Sequence, residues 1–159
     1  MARSYYPYSK RAFLPNLVLQ LFVPAFVLML MLVTSVDPVL GALVMLLLLS
    51  ASFLLGVSPF LTDHELYGDR LVLRQGWYFK AVIPLDNIMD ARLVDAGPRK
   101  IGISFCMNGA VLGVTTRKRP LIEIRLRRPQ RFAWAWGKRA DRVFFDAVDD
   151  ARLVERLPH

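Results

Sequence analysis

A chain of 159 residues is long enough for one ordinary domain, or for a small domain with membrane segments attached. Its 55% hydrophobic content exceeds the usual globular share, and the net charge is +8. A single cysteine, Cys106, excludes an intrachain disulfide and any C-x-x-C metal or redox motif.

The chain opens on a basic stretch, residues 1–16, holding Arg3, Lys10 and Arg11 with no acid. An apolar block follows, in which Asp37 is the only ionisable residue between Leu17 and Val57. Residues 17–36 and 39–57 each have the length of a helix crossing a ~30 Å hydrocarbon core. Unbroken apolar runs exclude the alternation of a barrel strand. The Asp37-Pro38 link leaves room only for a turn, so the two spans are expected to form an antiparallel hairpin. The competing reading is a buried soluble hairpin, but a chain this small cannot wrap two helices that are apolar all round. The first run is too long for the apolar core of a signal peptide and is expected to be retained. Basic residues flank the pair (Arg3, Lys10, Arg11, Arg70, Arg74) and are absent from the turn. The expectation is a multi-pass protein of the cytoplasmic membrane with both termini cytoplasmic. Tyr5, Tyr6, Tyr8 and Phe13 are placed to form an interfacial aromatic collar.

From Leu61 onward strand signals dominate. "HELYGDRLVLRQ" predicts a hairpin turning at Gly68-Asp69. "WYFKAVIP" alternates Trp77, Phe79, Ala81 and Ile83 against Tyr78, Lys80 and Val82, which predicts one core face. "LDNIMDARLV" restarts after Pro84, and "GPRKIGISFCMNG" reads as a loop and a weak strand. "VLGVTTR" and "PLIEIRLR" predict a second hairpin turning at Lys118-Arg119, with Ile122, Ile124 and Leu126 facing in. "RVFFDAV" fits either a strand or part of a longer helix. Strand then helix is favoured, with Asp149 as the helix N-cap.

"FLTDHELYGDRLVLRQGWYFKAVIPLDNIMDARLV" resembles the opening strands of prokaryotic PH-like domains that sit beside paired transmembrane helices. "VTTRKRPLIEIRL" and "DAVDDARLVERL" resemble that domain's later strands and closing helix. The resemblance covers residues 61–157 and implies an α+β membrane protein. Its N-terminal transmembrane hairpin would be followed by a small, bent antiparallel β-sheet or barrel of about seven strands with a C-terminal helix. The family's members are not known as enzymes. "RFAWAWGKR" fits its pattern poorly.

No constellation for catalysis is apparent, and the reading calls for no enzyme activity, no cofactor and no metal. Of the two histidines, His159 is terminal. An Asp63-His64-Glu65 metal site is disfavoured because neighbouring strand residues point to opposite faces. Cys106 reads as a half-buried small apolar residue. What stands out is a basic-aromatic segment, residues 117–139, carrying a net +8 of its own. Its candidate contact residues are Arg117, Lys118, Arg119, Arg125, Arg127, Arg128, Arg131, Trp134, Trp136, Lys138 and Arg139. Arginine forks suit phosphates, and amphipathic aromatics prefer the headgroup layer. The expected function is that of a membrane-anchored adaptor contacting anionic lipid or a protein partner through this patch. The bland alternative makes Arg125 and Arg127 solvated strand positions and buries Trp134 and Trp136 in the core. A second function class is an accessory subunit of a larger membrane complex or homo-oligomer. It would pack through Gly41, Ala42, Ser50, Ala51, Ser52 and Gly56. Nucleic acid is disfavoured by membrane anchorage.

Overall fold

A computed structural model describes residues 3–98, 100–106, 110–133 and 137–158. The chain is α+β and divides into two compact units. A helical unit comprises Lys10–Leu61 with Gly76–Tyr78, and a β unit comprises the chain up to Ser9, Thr62–Gln75 and Phe79 onward.

In the helical unit, α1 (Leu14–Thr34) and α2 (Pro38–Ser52) form a hairpin, and a π turn over Phe53–Val57 extends α2. Ser35 ends α1 in the left-handed region at φ 50°, and Asp37 starts α2. The Asp37 carboxylate accepts from Val39 N and Leu40 N, both at 3.0 Å, and Pro38 takes the first helical position where no N–H is needed. Gly56 lets the two arms approach: a Cβ there would lie 3.0 Å from Gln20 Cβ. Asn16 Nδ2 bonds the Leu55 carbonyl at 3.0 Å across the same contact. With their end turns both arms are long and apolar enough to cross a membrane. Their apolar side chains are not a protein core, since Leu32, Val33 and Leu47 are 70–78% exposed. The first helix begins at Leu14, three residues before the expected span at 17.

The β unit holds nine strands among the described residues. One sheet is antiparallel in the order β1 (Ser4–Tyr6), β2 (His64–Leu66), β3 (Arg70–Gln75), β4 (Phe79–Pro84). The strands of the other are β5 (Ile88–Val94), β6 (Gly102–Cys106), β7 (Val111–Thr115), β8 (Leu121–Arg131) and β9 (Arg139–Phe145). They lie in the order β5-β8-β9-β7-β6. Leu71, Leu73, Phe79 and Ile83 of the first sheet and Leu112, Ile122, Ile124, Val143 and Phe145 of the second are all buried. Each such side chain removed from water contributes about 1.5–3 kcal/mol. A short helix, α3 (Asp150–Val154), adds Leu153 to this core.

The β2–β3 hairpin, the buried alternation of Phe79, Ala81 and Ile83, and a final strand followed by a helix all match expectation. Asp149 occupies the cap position of α3, but its side chain makes no capping hydrogen bond.

Several expectations are corrected. β7 and β8 do not pair as a hairpin, because β9 lies between them, parallel to β7 and antiparallel to β8. The sheet is therefore mixed rather than antiparallel. The reason lies in β9, where Val143, Phe144 and Phe145 are buried on successive faces and so suit a central strand. Trp77 does not continue the β4 face. Gly76 turns the chain at φ +67°, leaving Trp77 in the turn, 60% exposed, with its ring 5.2 Å from that of Phe53. Tyr6 and Tyr8 form no interfacial collar. Both are buried in the β unit, because Ser4–Tyr6 pairs in register with His64–Leu66. Cys106 is exposed on the edge strand β6 rather than half-buried.

Candidate functional site

β8 separates the basic residues that are contiguous in sequence. Its eleven residues span roughly 30 Å, so Arg117, Lys118 and Arg119 lie beyond one end and Arg127, Arg128 and Arg131 at the other. Arg117 serves the fold: its guanidinium donates to the Pro120 and Ala147 carbonyls and to Asp150 Oδ2 at 2.8–3.1 Å. Lys118 and Arg119 are exposed in the turn that follows β7. Arg125 lies mid-strand on the outer face of the sheet, 3.6 Å from Glu123.

At the far end of the β8–β9 hairpin, Arg127, Arg128, Arg131, Lys138 and Arg139 are all exposed. Arg127 Nε donates to the Ile88 carbonyl at 3.1 Å, which leaves the rest of its fork outward. Lys138 Nζ lies 5.7 Å from the centre of the Phe105 ring. Arg131 and Arg139 stand directly opposite each other in register. Like charges facing each other across two strands repel, so this tip gains from a bound anion. Phe132 is buried and is not part of the surface, and Trp134 and Trp136 lie outside the described residues.

The titratable groups that looked most chemical are structural. His64 is 1% exposed. Its Nδ1 accepts from Arg74 N at 3.2 Å, and its Nε2–H donates to the Asp146 carbonyl at 3.1 Å. Both nitrogens are thus occupied and the tautomer is defined by its partners. Burial holds the imidazole neutral and lowers its pKa to about 4. The Asp146 carboxylate accepts from Thr116 N at 2.5 Å, Thr116 Oγ1 at 2.6 Å and Ser9 N at 3.5 Å. Burial nonetheless pushes its pKa up. Glu65 turns to Tyr67, Arg3 and Arg74 instead of joining His64 on an ion. Among the described residues no three His, Cys, Asp or Glu side chains are placed to hold a metal.

A cleft of about 850 Å³ lies on the outer face of the five-stranded sheet. Two in-register rows make its floor. One runs Arg92–Glu123–Phe144–Gly113–Ser104 and the other Arg125–Arg142–Val111–Cys106. The loop after β5 supplies Gly97, Pro98 and Lys100 as a wall. Gly113 permits that wall to close in, since a Cβ there would lie 2.9 Å from Pro98 Cγ and 2.6 Å from Ser104 Oγ. Glu123, 4% exposed, accepts from Arg92 Nε and Nη2 at 2.9 and 2.7 Å. Arg125 and Arg142 then face each other in register, beside this single acid. Of these residues only Arg125 was a candidate from the sequence. Arg92, Arg142 and Lys100 sit on separate elements, and no local pattern marks them as neighbours.

Comparison of the chain with protein-family models, with curated proteins and with solved structures returns no match.

Proposed function

We propose that this protein is a membrane-anchored binding module. Its hairpin crosses the cytoplasmic membrane, and its β unit meets anionic lipid on the cytoplasmic side through the tip of the β8–β9 hairpin. The observation that carries the reading is the pairing of Ser4–Tyr6 with His64–Leu66. Chain entering and chain leaving the bare apolar hairpin fold into one β unit, so both must emerge on the same side of a bilayer. That requires an even number of crossings and agrees with two helices of spanning length. Lys10 and Arg11 beside α1, with no basic residue in the turn, favour the cytoplasmic side. The two sheets and the closing helix support a PH-like reading of the β unit, from which the parallel β7–β9 pair departs.

At the tip, Arg127, Arg128, Arg131, Lys138 and Arg139 are exposed with no acid in the segment, and each basic residue near an anionic surface contributes about 1 kcal/mol. The test is hydrogen exchange on the full chain in nanodiscs, zwitterionic against 30% anionic lipid. Amides of residues 127, 128, 130, 131 and 138–140 are expected to gain protection only in the anionic discs, and to lose it in high salt as the Debye length contracts. Equal protection in both discs sinks the lipid contact.

A second reading, an accessory subunit packing through its hairpin, is favoured by one observation. Gly56 and Ser52 are buried within the helical unit, whereas Ala42, Ser50 and Ala51 remain exposed. These three would take the partner helix or a second copy.

A further inference from the structure

We propose that the cleft on the outer face of the five-stranded sheet binds a small organic anion that carries an apolar body. Its anionic group would rest on Arg125 and Arg142, and its apolar part on Phe144, Val111 and Pro98. The site is separate from the lipid-contacting tip and does not depend on that reading.

Size argues first. A concavity of about 850 Å³ falls within the range of small-molecule sites, and a loop wall on one side closes it more than a flat peptide-docking surface would be closed. Charge argues second. The lining holds Arg92, Arg125, Arg142 and Lys100 against the single acid Glu123. Glu123 is already taken by both donors of the Arg92 fork, and stands 3.6 Å from Arg125. Arg125 and Arg142 oppose each other across β8 and β9, so an anion lying between them would meet two guanidinium groups at once. Asp90 flanks Arg125 from the other side in register and Asp141 Oδ1 lies 3.8 Å from Arg142 Nε, so both guanidinium groups are held beside acids outside the cleft lining.

The remaining argument is the shape of the floor. Beside the two arginines the rows turn apolar, through Phe144 and Val111 to the bare backbone of Gly113. Cations on one half and an apolar shelf on the other match a ligand with a charged end and a hydrophobic end. Arginine forks recognise carboxylate and phosphate oxygens in pairs, so either group satisfies the charged half.

Phenyl phosphate is a suitable probe because it has both ends and stays out of bilayers. Titration calorimetry would use the full chain in zwitterionic nanodiscs. Saturable binding is expected, weakened about tenfold or more by Arg142→Gln and by Arg125→Gln and left unchanged by Arg70→Gln on the four-stranded sheet. Inorganic phosphate and benzyl alcohol, each with only one end, should bind at least tenfold more weakly. Circular dichroism of each variant checks that it is folded, and Arg142→Lys, which keeps the charge but loses the fork, should retain part of the affinity. Repeating the titration in 30% anionic discs separates the ligand's sources. Competition that disappears with Arg142→Gln identifies a lipid headgroup, and no competition identifies a solute. Absence of saturable binding, or equal binding by folded Arg142→Gln, overturns the proposal. So does benzyl alcohol binding as tightly as phenyl phosphate. None of these results moves the exchange protection at the tip, so the two readings fail independently.

Discussion

The hydroxyls of Tyr8 and Thr62, 54 positions apart in the chain, lie 2.9 Å apart in space, and the whole apolar hairpin falls between them. Around this bond the segment before the helices closes on the segment after them. The Tyr8 ring packs 5.1 Å from His64, Val148 N donates to the Pro7 carbonyl at 2.7 Å, and Arg156 reaches Ser4 Oγ at 3.1 Å. The β unit is thus completed by residues that precede the membrane-length helices.

Tyr8→Ala should therefore destabilise the β unit by about 3–5 kcal/mol, the cost of emptying a large buried aromatic site. Tyr8→Phe should cost about 1 kcal/mol, the worth of one buried hydrogen bond. Urea unfolding of the full chain, followed by near-ultraviolet circular dichroism, measures both. A fragment beginning at Thr62 should behave like Tyr8→Ala or worse, since it lacks β1 altogether. Equal midpoints for parent and Tyr8→Ala would mean that the N-terminal segment contributes nothing to the fold.

Stability should fall as the medium is acidified from about pH 6.5 towards 4. His64 is held neutral in the folded protein with a pKa of about 4, against about 6.5 when unfolded. The unfolded chain therefore binds more protons in this window. The contribution is complete above about pH 6.5 and is lost as pH drops through the window, with a total on the order of 3 kcal/mol. Asp146 acts in the opposite sense. Burial raises its pKa, so its contribution is present at low pH and declines as pH rises above the ordinary carboxylate range. His64→Gln should flatten the profile between pH 4 and 6.5, and Asp146→Asn should steepen it. A profile unchanged by His64→Gln would show that the imidazole is not buried neutral.

How much of this was legible depended on range. The hairpin helices and the Phe79, Ala81, Ile83 alternation are written in neighbouring residues, so period and length expose them. β1 has three residues and no period of its own, and its partner His64–Leu66 follows only after both helices. The insertion of β9 between β7 and β8 is decided by which strand has two apolar faces to bury, and that competition is not local. The basic patch is the sharpest case. Charge adjacent in sequence was parted by the length of β8, while Arg125 met Arg142 from another strand. Glu123 faces away from Ile122 and Ile124, as alternation along β8 dictates. Its burial under Arg92 required a neighbouring strand that alternation along β8 does not name.

The close approach of the two helices can be tested by crosslinking. A Cβ at position 56 would lie 3.0 Å from Gln20 Cβ, close to the 3.5–4.5 Å spanned by a disulfide. In a Cys106→Ser background, Gln20→Cys with Gly56→Cys should form an intramolecular bond under mild oxidation. Leu32→Cys with Leu47→Cys, both strongly exposed, should not. Gel mobility with and without reductant reads the outcome. Failure of the first pair to close would mean that the arms do not meet at Gly56.

Sidedness can be measured with the protein's own thiol. Cys106 is exposed on β6 in the β unit, and no other cysteine competes with it. If the hairpin crosses the bilayer, the turn between the helices lies on the opposite side from that unit. A membrane-impermeant maleimide should then label Cys106 in inverted vesicles and not in right-side-out ones. In the Cys106→Ser background, Val36→Cys should show the reverse pattern. Position 36 follows the end of α1 and precedes the Asp37 cap of α2, so its label reports the turn itself. Labelling of both positions from the same side would remove the crossing, leaving a hairpin that lies on the membrane or packs against another protein. Opposite labelling with Cys106 exposed in right-side-out vesicles would keep the crossing and invert the orientation taken from Lys10 and Arg11.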